Sequence, residues 1–476
     1  MTVSSPLHTI RPLGPIEAYS SSRHPLGLYR CVAVTARYTL APNAAPSDAV
    51  IFAALANLIN AHPMLRVGIT GEDTNYAHFT FIPELNLAEL VEFRTVAESN
   101  YEKTLEDVQA WCHDQLWPSI EARPPWRIIV LRPGETPAFE DVILSFHHSL
   151  MDGTSSKQFH EQLLSELNAL PPSPSLQAIL SFPQCPSLPE PQDAILNYTS
   201  SLSFWATTLW ESLSPSFLKP VRPIWAGKTI DYTHPHKARV RGVDIPASTV
   251  ASLLTSTRSH GTSITGLIHA LVLASLSRRI PDAPAFISST PINMRPYMSH
   301  TANPATKDSL RVCISSMTHH FSPLQVAAFR SSEADIDTLI WDQARKVKAE
   351  IKQKAATLPA DDANILLPSI SDWASHWREK DGQPRDGSWE LSNIGCLDIP
   401  SAQGDKRGIS RVLFTNGIMV AGEPMGISVA SVPDGALTLG ISWNEGVIED
   451  EIMEGLAEDL EVYMKRLHEK SKFRID

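Results

Sequence analysis

The sequence predicts an α/β protein with mixed sheets, built as two similar halves joined by a long crossover. Three observations predict it. At 476 residues the chain is too long for one ordinary core, and two domains of roughly 200 residues each are expected. A strand–helix–strand order is read twice, from Tyr29 to Ile69 and again from Ala238 to Arg295. Between the two, a proline-rich passage over 171–240 resists regular structure. The expected partition is 1–190, a linker over 191–236, and 237–476.

In the first half, Tyr29 to Leu40 is β-rich and reads as a strand. Ser47 is expected to cap a helix whose apolar residues Val50, Ile51, Ala54, Leu55, Leu58 and Ile59 recur at helical spacing. His62-Pro63 stops it, and Met64 to Ile69 reads as the next strand. Residues 76–95 read as further strand and Tyr101 to Gln115 as a helix. Trp126 to Leu131 is expected to pair with Val142 to His147 as a hairpin.

That hairpin leads into Phe146-His147-His148-Ser149-Leu150-Met151-Asp152-Gly153. It is a buried strand ending in two imidazoles, then a turn. A helix follows to about Leu170, with Ser or Thr of the Thr154-Ser155-Ser156 run where a cap belongs. A histidine titrating near neutrality can take a proton from a hydroxyl and return it to a leaving group. A His-His pair alone is more often a satisfied polar pair, and Asp-Gly alone is a turn signal.

The crossover is expected to hold one helix, Ala194 to Leu213, with Trp205 and Trp210 as packing anchors. His234-Pro235-His236 has metal-like spacing but no companion cluster, and reads as a surface loop. In the second half, Gly261-Thr262-Ser263 caps a helix carrying Ile264, Leu267, Ile268, Leu271 and Leu276. Ala285 to Arg295 is a strand ending in an arginine, and Val312 to Phe321 is a strand whose His319-His320 reads as structural. A long mixed-charge helix spans 334–354. Strands follow at Trp389 to Gly395, Val412 to Val420, Gly426 to Val432 and Leu437 to Trp443, with a hairpin turn at Pro433-Asp434-Gly435 and a closing helix from Glu449 to Leu467.

The His147-His148-Ser149-Leu150-Met151-Asp152-Gly153 stretch resembles the His-His-x-x-x-Asp-Gly motif of CoA-dependent acyltransferases and peptide-synthetase condensation domains. The Arg11-Pro12-Leu13-Gly14 opening, the Arg23-His24-Pro25-Leu26-Gly27 segment and His62-Pro63-Met64-Leu65-Arg66 look like the fungal alcohol acetyltransferase family within that superfamily. The Asp-Phe-Gly-Trp-Gly motif of the plant acyltransferases is absent from the sequence. The resemblance implies two chloramphenicol acetyltransferase-like domains with an active-site tunnel between them. It implies His148 as general base, Asp152 as its structural support, and Arg295 as the partner of Asp152. His147, Gly153, Asn293, Ser392 and Asn393 are implied as substrate contacts.

The reaction implied is transfer of an acetyl or other short acyl group from acyl-CoA to an alcohol, in secondary metabolism. Acyl-CoA is a co-substrate and no permanent cofactor or metal is expected. Two alternatives stay open: a donor carried on a carrier protein, and a site repurposed for rearrangement or cyclisation. No Gly-x-Ser-x-Gly nucleophile motif is present, so no covalent acyl-enzyme is expected. The net charge of −12 argues against nucleic acid or an anionic membrane as partner. The five cysteines, Cys31, Cys112, Cys185, Cys313 and Cys396, are scattered and fit a reducing compartment. With no signal-like apolar segment and no span-length run, a monomeric cytoplasmic enzyme is expected.

Overall fold

Most of the β-branched and aliphatic runs fold into two large sheets, one per half. In a computed structural model, residues 8–40, 45–171, 174–175, 178–213, 223–299, 308–333, 335–400 and 406–473 are described. The first sheet orders its five strands as Ile409–Asn416, Val32–Thr39, Phe139–Phe146, Trp126–Pro133 and Val91–Val96. The second orders six as Ala238–Ile245, Leu437–Asn444, Met425–Ser431, Trp389–Cys396, Phe286–Asn293 and Ile314–Phe321. Each mixes parallel and antiparallel pairs.

The hairpin pairing read from the sequence holds, with Trp126 opposite Phe146 and Ile128 opposite Leu144. Helices Asp48–Ala61 and Gly153–Ala169 cover one face of the first sheet, burying Ile51, Leu55 and Ile59 with Phe159, Leu163 and Leu164 in one core. Helix Tyr101–Asp114 covers the other face through Leu105, Val108 and Cys112. In the second half, helix Ile264–Arg279 is apolar on nearly every side because it is sandwiched between that sheet and helices Ile336–Thr357 and Asp450–Lys470.

One strand crosses the expected partition. Ile409–Asn416 lies within the second half in sequence but pairs antiparallel with Val32–Thr39, setting Val412 opposite Ala36 and Phe414 opposite Val34. Val412 and Phe414 therefore belong to the first core. The strand also lies against Leu437–Asn444 so closely that a Cβ on Gly440 would fall 2.0 Å from the carbonyl oxygen of Phe414. Only a glycine permits that approach.

The crossover also departs from expectation. Its described part holds two helices, Gln192–Ile195 and Leu202–Leu213, instead of one. Asp361 explains the break: its carboxylate accepts from the Ser201 N–H at 2.6 Å and from the Ser201 hydroxyl at 2.8 Å, starting the second helix afresh. Trp205 and Trp210 are 46% and 59% exposed, so they do not anchor it. Residues 214–222 of the crossover lie outside the described residues. His234 and His236 are bonded separately, to the Glu445 carbonyl and the Asp114 carboxylate.

Buried neutral histidines tie core stability to pH. His113 contacts the Thr415 hydroxyl at 2.8 Å and His160 the Tyr38 hydroxyl at 2.9 Å, and burial pushes both down to about 4. The unfolded chain then binds protons that the folded chain refuses, so stability is lost as pH falls below about 6.5 towards 4. At pH 5 each is expected to cost about 2 kcal/mol relative to pH 7. Melting temperatures should rise steadily from pH 5 to pH 7, and His160→Gln should flatten part of that rise.

Candidate active site

The motif strand Phe139–Phe146 ends where the two halves meet. The His147 N–H donates to the Pro125 carbonyl at 2.8 Å, the last link to the neighbouring strand. The Leu150 N–H then donates to the His147 carbonyl at 3.0 Å and closes a turn. Consecutive residues of an extended chain point to opposite sides. His147 accordingly enters the interior of the first half, and His148 enters a cavity between the halves.

Asp152 fixes the far side of the turn. It is the N-cap of helix Gly153–Ala169, one of its oxygens accepting from the Ser155 N–H at 2.8 Å. The cap is thus the aspartate itself and not a Ser or Thr. Its other oxygen accepts from Arg295 at 2.8 Å and from the Cys313 N–H at 2.8 Å, both in the second half. Arg295 also donates to the Ser155 hydroxyl at 2.7 Å and the Arg311 carbonyl at 3.1 Å. Burial alone would push the Asp152 carboxyl up, but the Arg295 guanidinium and the two N–H donors hold it below its ordinary value. A charge-assisted pair of this kind is rigid because every oxygen is committed.

Gly153 lies where that helix meets the second half. A Cβ there would fall 2.6 Å from the side chain of Ile394. Asn293 accepts from the Arg295 N–H at 3.1 Å and from its guanidinium at 3.3 Å, so it orients the arginine while also lining the cavity.

The cavity has a volume of about 390 Å³. His148, Asp152 and Gly153 line it from the first half, and Asn293, Ser392 and Asn393 from the second. Asn393 has already committed its amide, donating to Thr265 at 3.0 Å and accepting from the Gly395 N–H at 2.8 Å. Burial, then the positive field of Arg23, lowers His148 to about 4, with its own backbone carbonyl and Asp152 pulling the other way. The imidazole is therefore neutral at pH 7 and free to accept a proton.

His147 was expected among the substrate contacts and does not line the cavity. Its Nε2 lies 3.0 Å from Glu72, and His24 Nδ1 lies 2.6 Å from the other Glu72 oxygen. His24, Glu72 and His147 thus form a compact trio of the kind that can hold a metal ion. The backbone decides otherwise. The Trp117 N–H donates to His24 Nε2 at 3.1 Å and the Ser149 N–H to His147 Nδ1 at 3.1 Å. Each ring then carries its hydrogen on the nitrogen facing Glu72, where it donates and has no lone pair to offer. The trio does not fit a metal. Burial opposes a charged Glu72, but the bonds from His147 and His24 outweigh it and lower the carboxyl to about 2.

A family model described as alcohol acetyltransferase matches residues 12–467. The chain belongs to the alcohol acetyltransferase family. It is therefore an acyltransferase. Among similar sequences is a probable alcohol acetyltransferase, FCK4, of Fusarium pseudograminearum, 28% identical over 481 residues and covering 96% of this chain and 94% of the relative. A second, crmB of Aspergillus fumigatus, is 24% identical over 95% of this chain and 99% of the relative. In fold, the acetyltransferase is similar to the TRI3 trichothecene 15-O-acetyltransferase of Fusarium sporotrichioides, at a TM-score of 0.71 and 15% identity over 98% of this chain and 95% of that one. It is also similar to the first condensation domain of the calcium-dependent antibiotic synthetase, at 0.60 and 12% over 98% and 97%.

Several cavity residues of this acetyltransferase had no signal of their own in the sequence. Arg23 was read only as part of a family segment, and it lines the cavity together with Tyr29, Glu390, Asn416 and Glu423. The Tyr29 hydroxyl donates to Asn416, whose amide donates to Glu390. Burial and the nearby Glu423 raise Glu390 to about 7. Asn416 ends the strand paired with Val32–Thr39, Tyr29 lies three residues before that partner strand, and Glu390 precedes the Ser392-Asn393 pair by two residues, so only the folded sheets bring them together.

Two substitutions test the turn. Asp152→Asn keeps the cap but leaves Arg295 without its counter-charge, expected to cost about 3–5 kcal/mol and to lower both melting temperature and turnover. Gly153→Ala must push Ile394 aside, expected to cost about 1–3 kcal/mol. A parent-like melting temperature for either variant would contradict the geometry assigned to it.

Proposed function

We propose that this acetyltransferase moves an acetyl or other short acyl group from acyl-CoA to a small-molecule alcohol, with His148 as general base. The observation that carries the reading is a neutral imidazole on the wall of a cavity between the halves, on a turn held from the other half by Arg295. The alcohol hydroxyl gives its proton to His148 as its oxygen attacks the thioester carbonyl. The tetrahedral intermediate collapses, the C–S bond breaks, and the imidazolium returns the proton to the departing sulfur. Asp152 and Arg295 hold the ring in place and take no proton. Gly153, Asn293, Ser392 and Asn393 are the proposed wall against which donor and acceptor are aligned.

The likeness to a trichothecene 15-O-acetyltransferase supports an acceptor from secondary metabolism. No helix among the described residues is long and apolar enough to cross a membrane. The five cysteines are all free, which supports a reducing compartment such as the cytoplasm for this enzyme.

The test is thiol release from acetyl-CoA with a panel of alcohols. His148→Ala should lower turnover by about 10²–10⁴ while leaving the affinity for acetyl-CoA little changed. His147→Ala should cost less rate and more stability, because it leaves Glu72 and the Ser149 N–H short of a partner. Parent-like turnover of His148→Ala would end the reading. A larger rate loss at His147 would reverse the roles assigned to the two histidines.

A further inference from the structure

Arg23 is a cation without an ion-pair partner among the described residues, although Glu390 on the same cavity wall feels its field. Its guanidinium lies 4.4 Å from the Tyr19 ring, 4.5 Å from the Tyr29 ring and 5.9 Å from the Trp377 ring. It forms no ion pair or side-chain hydrogen bond among the described residues, and its Nε is buried without a partner. Two other arginines commit their N–H groups to carbonyl oxygens. Arg385 donates to those of Lys228, Met419, Val420 and Gly422, and Arg330 to those of Ser277, Ile280 and Ala283. Arg23 instead lines the cavity that His148 lines.

The segment around Arg23 explains why it stays there. Its neighbour His24 is bonded to Glu72 and to the Trp117 N–H, so the backbone cannot slide. The Leu28 N–H donates to the Arg23 carbonyl at 2.9 Å and closes the loop onto Tyr29. Tyr29 then neighbours both groups, 4.5 Å from the guanidinium and 5.9 Å from the His148 ring. A guanidinium over aromatic faces is attracted to them but keeps its in-plane N–H groups available for an anion.

We infer that Arg23 is a catalytic residue that stabilises the oxyanion formed on the thioester carbonyl. The assignment rests on the acyl-transfer reading above. When the alcohol oxygen bonds to the carbonyl carbon, the C=O π electrons move to the carbonyl oxygen and the hydroxyl proton moves to His148. Before that step, burial and then the positive field of Arg23 oppose a protonated His148, so the ring stays neutral. During it, imidazolium and oxyanion form together, and the oxyanion neutralises the guanidinium's repulsion. Arg23 thus opposes protonation of the resting enzyme and favours it in the transition state, the differential on which catalysis depends. Collapse of the intermediate re-forms C=O, expels the sulfur and discharges both ions.

The charged and titratable groups around this part of the cavity are Arg23 and Tyr29 from the segment before Val32, His147 and Asp152 of the motif, and Glu390 and Glu423 from the second half, with Glu390 raised to about 7. Removing only the guanidinium therefore predicts two changes in opposite directions. Arg23→Gln should lower turnover of acetyl-CoA with a responsive alcohol about 10²–10³-fold. Its acid limb in the pH–rate profile should move to higher pH than the parent's, stopping short of the ordinary histidine value because the ring stays buried. Arg23→Lys should recover part of the rate and keep the low limb, and it carries the test if the Gln variant does not fold. Full activity of Arg23→Gln, or a rate loss in both variants with the limb unmoved, overturns the assignment while an inactive His148→Ala leaves the acyl-transfer reading standing. A parent-like His148→Ala overturns both.

Discussion

The carboxylate of Asp152 receives Arg295 and the Cys313 N–H on one oxygen and the Ser155 N–H on the other, and these contacts join the two halves at the base of the candidate site. The position of His148 depends on this junction. The imidazole lies four residues before the aspartate on a short turn, so a shift of the helix cap moves the ring directly. Three further contacts bring the second half to the same place. Asn293 orients Arg295, Ile394 closes over Gly153, and the Arg311 carbonyl accepts from both the Asp152 N–H and the Ser155 hydroxyl. A charge left unpaired in such a setting is costly, so the geometry is held by the penalty for breaking it.

On the other side of the same strand end, Glu72 does for His147 what Arg295 does for Asp152. It accepts from two imidazoles and from the Ser21 hydroxyl, and it is drawn down to about 2 by those bonds. The two clamps flank His148 in sequence, at His147 and at Asp152. The ring itself is left to face the cavity, with Arg23 and Tyr29 in the same lining. Adjacent residues of one motif thus serve different ends because an extended backbone alternates its faces.

Much of this was legible in the sequence where local pattern decides the outcome. The apolar runs Trp126 to Leu131 and Val142 to Phe146 pointed to a hairpin, and the motif spacing placed His148 and Asp152 on one turn. The pairing of Asp152 with Arg295 came from family resemblance, and spacing alone could not have supplied it. Elsewhere the deciding partner was distant. Ile409–Asn416 has the same apolar character as its neighbours, and nothing local says that it joins Val32–Thr39 across the halves. Glu72 sits in a Gly-Glu-Asp turn that reads as solvated until His24 and His147 close on it. Arg23 looks like a surface cation until Tyr19, Tyr29 and Trp377 surround it. Helix Leu202–Leu213 failed as a packed element because Asp361, far along the chain, sets where it begins.

The central claim is that the two halves are coupled at Asp152 and Arg295 and that this coupling aims the base. A double-mutant cycle measures it directly, with thiol-release turnover and melting temperature read for Asp152→Asn, Arg295→Gln and the combined variant. If the pair acts as one unit, the second substitution adds little to the first, and the combined variant is more stable than the two single losses would sum to. If the losses simply add in both turnover and stability, the residues act independently and the account is contradicted.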